Sequence, residues 1–137
     1  MPKLVLAAFV ALVTAVGAGW FWGSAGRWDR DSALRTVELR SDLVEARSSV
    51  LDARLDLYNV NFGNASRHLE DTKGPLRRAT DRLRAGGREN DARRLDPALA
   101  RIDEAQQLAN RLDQGANARA ADAAQTISAF IATVGTP

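Results

Sequence analysis

At 137 residues with 45 % apolar side chains, the chain has room for one packed domain and too much apolar content for disorder. It has no cysteine, which excludes disulfides, thiolate metal sites and covalent haem attachment. With 19 Lys+Arg against 17 Asp+Glu the charge is near balance, which argues against a globally basic nucleic-acid binder. Heavy use of Ala, Arg, Asp and Leu, with lysine only at Lys3 and Lys73, points to a GC-rich bacterial genome.

The first predicted element is a transmembrane helix over 1–23. From Leu4 to Gly23 the run carries no charge and a single hydroxyl, Thr14. Its roughly 30 Å of helix matches the hydrocarbon thickness of a bilayer. Trp20, Phe21, Trp22 and Trp28 are candidate membrane-interface residues, forming an aromatic belt at its end. Val16-Gly17-Ala18 also suits signal peptidase, but length and aromatic flank favour a retained anchor. The expected location is the bacterial inner membrane, single-pass. The short Met-Pro-Lys head favours a periplasmic body, whereas Arg27, Arg30 and Arg35 keep a cytoplasmic one open.

Residues 24–30 read as a short linker, and 31–137 as a helical bundle. Within the bundle, Leu34, Val37, Ser41, Val44, Ser48, Leu51, Leu55, Tyr58, Phe62, Ala65 and Leu69 follow steps of three and four without a slip. The spacing predicts one long helix with this stripe buried against other helices. Asn59, Asn61, Gly63 and Asn64 have poor helix propensity, so a weak or bent point is expected there within a continuous helix. Asp71 to Pro75 reads as a stop and restart, followed by a short helix with Leu76, Ala79 and Leu83 inward, ended by Gly86-Gly87. A fresh start is expected near Asn90, and Asp96-Pro97 opens the next helix, with Leu95 at a joint. Ala98, Ile102, Ala105, Ala109 and Leu112 form its seam. Gly115 and Asn117 separate that helix from a last one with Ala120, Ala123 or Ala124, Ile127, Phe130 or Ile131, and Val134 inward. No strand-like alternation competes. The fold class is all-α: a single transmembrane helix followed by an antiparallel three- or four-helix bundle with one long heptad-patterned helix.

Chemistry-bearing patterns are sparse. His68 is the sole histidine, the Glu-x-x-His motif of di-metal bundles is missing, and the only methionine is Met1. Glu38, Asp42, Glu45, Asp52 and Asp56 recur on the long helix, which reads as a solvated face balanced by Arg35, Arg40, Arg47 and Arg54 rather than a cation site. No phosphate loop, nucleophile elbow or zinc motif is present, so no enzyme, cofactor or metal is expected.

Two patches stand out as candidate partner or lipid contacts. One is basic: Lys73, Arg77, Arg78, Arg82, Arg84, Arg88, Arg93 and Arg94, suited to anionic lipid or an acidic partner. Its plainer reading is a charged, solvated helix–turn–helix tip. The other gathers Tyr58, Asn59, Asn61, Phe62, Asn64 and Ser66, which suits a protein interface or a register-fixing asparagine. Together these features predict a non-catalytic, membrane-anchored accessory or scaffold subunit that braces a larger membrane complex, such as a respiratory or photosynthetic assembly. Its expected partners are the bilayer, other subunits and anionic lipid, and not nucleic acid. A ligand-sensing or adaptor bundle and a homo-oligomeric coiled-coil stalk are the alternatives.

Overall fold

The computed structural model describes residues 32–134, all helical apart from the turns between helices. The proposed anchor over 1–23, its interface residues Trp20, Phe21, Trp22 and Trp28, and the linker over 24–30 lie outside the described residues. Among the described residues no helix is long and apolar enough to cross a membrane. The chain divides into two compact units, Met1–Arg35 and Thr36–Pro137, and the bundle is the second.

Helix α1 covers 32–58, followed by α2 (Phe62–Ala85), the short α3 (Glu89–Arg93), α4 (Asp96–Asn110) and α5 (Gly115–Val134). Cross-helix pairs fix their directions. Asp42 of α1 meets Arg78 and Arg82 of α2, while Asp56 meets His68, so α1 and α2 run antiparallel. Ser66 reaches Asn110 and Lys73 reaches Asp103, which sets α2 against α4 in the same sense. Arg119 with Glu104 reverses α5 on α4. Arg47 with Ser128 and Arg54 with Asn117 close the ring by laying α5 antiparallel to α1. The unit is a four-helix bundle, with α3 bridging α2 and α4 at one end.

The core is narrow and rich in alanine. Alanines 46, 53, 65, 79, 98, 105, 109, 116, 120, 123 and 124 line it between Leu43, Val50, Leu69, Leu76, Leu83, Leu95, Ile102, Ile127 and Phe130. Small side chains let helix axes approach closely, at the expense of apolar area per residue. Thr72 and Thr80 are buried in α2, and each hydroxyl donates to the carbonyl four residues back, so neither needs a partner across the core.

The long helix departs from expectation in two ways. The stripe from Leu34 to Tyr58 faces outward: Val37 and Leu55 are 65 % and 62 % exposed, and Tyr58 is 79 %. A second stripe on the opposite side, Leu39, Leu43, Ala46, Val50, Ala53 and Leu57, faces the core instead. It obeys the same alternation of four and three, so periodicity does not separate them. The helix also breaks rather than bends. Val60 takes a left-handed backbone (φ 60°), and the chain closes α1 with Asn61 N–H to Asp56 O at 2.8 Å and Val60 N–H to Leu57 O at 3.1 Å. This is a Schellman-type end. Asn61 then caps α2, its side chain accepting from Asn64 N–H. Phe62, Ala65 and Leu69 are buried, but on a new helix.

Two more boundaries move. The helix does not stop at Asp71–Pro75: α2 runs straight through, with Lys73, Pro75 and Leu76 buried. An interior proline costs about 3 kcal/mol. Continuous burial of Leu69, Thr72, Leu76, Ala79 and Leu83 along one register is the compensation visible here. Gly115 starts α5 instead of separating it, its N–H bound by Asp113 at 2.7 Å, and Asn117 lies inside that helix. Leu112, expected in the α4 seam, is 70 % exposed in the turn beyond it. The remaining boundaries agree: Gly86-Gly87 ends α2, Leu95 is a buried joint, and Pro97 stands in the first turn of α4.

Candidate functional site

The outer face of α1 is the most distinctive surface of the bundle. Val37, Val44, Leu51, Leu55 and Tyr58 stand exposed in line over about 32 Å of helix, with Ser41 and Ser48 completing the row. Scattered exposed apolar residues are ordinary, but a contiguous line of them marks an association surface. Here five apolar side chains and two small serines share one row at 3–4 spacing, the apolar line unbroken from Leu51 to Tyr58. Val60, at the end of the same helix, and Leu112 are also exposed.

The flank of α1 toward α2 is strongly charged and internally satisfied. Arg78 donates to Asp42 at 2.9 Å and to Glu45 at 2.8 Å; Arg82 donates to the other Asp42 oxygen at 2.7 Å and to Glu38. Asp42, 6 % exposed, is thus held by two guanidinium groups. Its hydrogen bonds push both arginines further above their already high ordinary value, against the opposing effect of burial. The acids of α1 are therefore balanced chiefly from α2, not by Arg35, Arg40, Arg47 and Arg54 on their own helix. Arg47 and Arg54 instead reach across to α5.

Lys73 makes the matching clasp between α2 and α4. Its ammonium lies 2.8 Å from Asp103 and 2.9 Å from Glu70 and donates to Gln106. Burial lowers its pKa, but its bonds to the Asp103 and Glu70 carboxylates outweigh that and leave it above the ordinary lysine value. Glu70, bound by Lys73 and Gln106, is held below the ordinary carboxylate value.

The other predicted contacts are placed as follows. In the basic patch, Arg84 pairs with Asp81 and Glu89, Arg88 and Arg94 with Asp91, and Arg93 with Glu89. Arg77 is exposed within electrostatic reach of Glu70. The structure therefore spreads the patch over several faces: Lys73, Arg78 and Arg82 tie helices together, Arg77 stands exposed in the middle of α2, and Arg84, Arg88, Arg93 and Arg94 surround the α2–α3 turn. Phe62 is buried in the core, Asn61 and Asn64 form the α2 cap, and Tyr58 alone of that cluster joins the exposed stripe. His68 Nε2 lies 3.5 Å from Asp56 Oδ2 across α1 and α2. Between α4 and α5, an open hollow of about 510 Å³ is lined by Arg94, Pro97, Arg101, Asp122 and Phe130, with the Arg94 guanidinium 5.2 Å above the Phe130 ring. Among the described residues no three His, Cys, Asp or Glu side chains are grouped to hold a metal ion.

No protein-family model, no curated protein and no solved structure matches this chain. The functional reading rests on the geometry above. What the sequence did not reveal was which of two equivalent stripes on α1 is free. The signal was present in the small residues: Ala46 and Ala53 on the inner stripe match the alanine seams of α4 and α5, so those three helices pack closely and leave the larger stripe outside.

Proposed function

We propose that this chain is a non-catalytic, membrane-anchored accessory or scaffold protein whose working surface is the outer stripe of α1. The observation that carries the reading is that row, Val37 to Tyr58, exposed on a helix whose opposite side already supplies the core. A bundle that needs only one side of α1 for folding gains nothing from a second apolar stripe unless something covers it. The apolar run from Leu4 to Gly23 supports placement at a membrane, where lateral confinement raises the effective concentration of a partner. The internally paired charges support a structural rather than a catalytic role. Anionic lipid at Arg84, Arg88, Arg93 and Arg94 is an accessory contact on this reading, since these side chains ring one end of the bundle, with Arg77 further along α2.

The test compares the full chain with V44E/L51E in native membranes. Both substitutions are on the outer stripe and leave the core untouched. Extraction in mild detergent should release the parent chain within a larger assembly and the variant at the mass of one chain, with helix content unchanged. A variant that stays in the same assembly overturns the reading.

A further inference from the structure

We infer that the occupant of the α1 stripe is the same stripe of a second copy, parallel and in register, as a two-stranded coiled coil; this deepens the reading of the stripe as an association surface and rests on it. The charges beside the row carry the inference. Directly after Val37, Val44 and Leu51 stand Glu38, Glu45 and Asp52; directly before Ser41, Ser48 and Leu55 stand Arg40, Arg47 and Arg54. Between Val37 and Leu55 one edge of the stripe carries only acids and the other only arginines. In heptad terms the acids occupy e and the arginines g. Five of the six are exposed, and Arg54 is half-buried.

In a parallel, in-register pair each g residue faces the e residue five positions further on in the other helix. Arg40 of one copy then meets Glu45 of the other, and Arg47 meets Asp52, each pair occurring twice by two-fold symmetry. An antiparallel pair sets g against g and e against e, arginine on arginine and acid on acid. The pattern is thus complementary to itself in one orientation only. A foreign helix needs an independently matched pattern, which a second copy carries already.

Nothing in the bundle blocks this pairing. The core-facing stripe lies on the opposite side of α1. Arg47 donates only its Nε to Ser128, leaving its terminal nitrogens, and Glu45 accepts one bond from Arg78 with carboxylate capacity remaining. Ser41 and Ser48 within the seam make the coiled coil modest in strength, in keeping with a contact assisted by confinement to a membrane.

The test exchanges one charge pair in the full chain, in detergent. R47E alone and D52R alone each place two like-charge pairs in a homodimer and should weaken it roughly ten-fold. Mixed together, R47E and D52R restore opposite charges at both positions and should form a mixed dimer close to parental affinity. On the otherwise unaltered chain, which has no cysteine, V44C should form an intermolecular disulfide with itself on oxidation, and Q107C on α4 should not. A monomeric parent chain, equal dimerisation by R47E, D52R and their mixture, or V44C linking no faster than Q107C overturns the inference. If the parent chain is monomeric but still enters an assembly that V44E/L51E abolishes, the second copy is excluded and the association surface stands. If that assembly is absent too, both readings fall.

Discussion

Val60 and Leu112 hold the left-handed backbone that usually belongs to glycine, at φ 60° and 58°. Gly87 (φ 73°) occupies the same position at the end of α2, where Arg88 N–H reaches Leu83 O at 2.8 Å. The end of α4 repeats it, with Asp113 N–H to Leu108 O at 3.0 Å. Three helices therefore end on one motif, and two of them do so with a side chain that disfavours it by about 1–2 kcal/mol. Since Val60 and Leu112 are both exposed, Val60→Gly and Leu112→Gly should each raise stability by about 0.5–1 kcal/mol after the greater chain entropy of glycine is counted. Denaturant unfolding of the two variants measures this.

Glu70 and Asp91 are held below their ordinary values, Asp91 chiefly by the hydrogen bond from Arg88. A depressed carboxylate contributes stability that is complete above its unfolded value and is lost as pH falls through its folded value. Lys73, held above its ordinary 10.5, has the opposite sense: its contribution is complete below that value and is lost as pH rises through the folded one. Stability should be level across neutral pH and decline below roughly pH 4, where carboxylates titrate, and again in strong alkali. Melting temperature as a function of pH checks both limbs, and K73M should remove the part of the alkaline limb that Lys73 supplies.

The helices show where sequence patterns decide and where they do not. Gly86-Gly87 and Pro97 mark real boundaries because local backbone chemistry sets them. Gly74-Pro75 looked equally decisive and is overridden, since stopping there would take Leu76, Ala79 and Leu83 out of register with Leu69. Gly74 is left as an exposed glycine mid-helix, where an added Cβ would meet the Arg78 side chain at 3.7 Å and, from the position before proline, crowd the Pro75 ring. Gly74→Ala should therefore leave the melting temperature nearly unchanged, the gain in helix propensity being offset by crowding of the new Cβ against the Pro75 ring. The break at Val60 was hidden for the opposite reason. Tyr58, Phe62, Ala65 and Leu69 keep heptad spacing across it, although Tyr58 belongs to the outer row and Phe62 to the core. A repeat counted along the chain has no knowledge of a helix that has ended. On α1 itself, spacing defines two stripes and only packing against α2 and α5 selects the inner one.

In the bundle, a ring of four antiparallel helices is held by ion pairs at three seams, by hydrogen bonds from Arg47 and Arg54 at the fourth, and by alanine contacts at its centre. The all-helical class was legible from the absence of strand alternation and the repeated apolar spacing. The pairing of charges was not, because Asp42 and Arg82 are 40 residues apart and nothing local links them. What results is a bundle complete within itself, carrying one apolar row that it does not use.

On the proposed function, this row is covered in the native membrane. Single-cysteine chains with L55C, on the row, or Q107C, exposed on α4, can be alkylated with a small membrane-impermeant reagent in opened native membranes and again after denaturation. L55C should react much more slowly than Q107C before denaturation and at the same rate after it. Equal rates in both states would show the row bare in the membrane and overturn the proposed function.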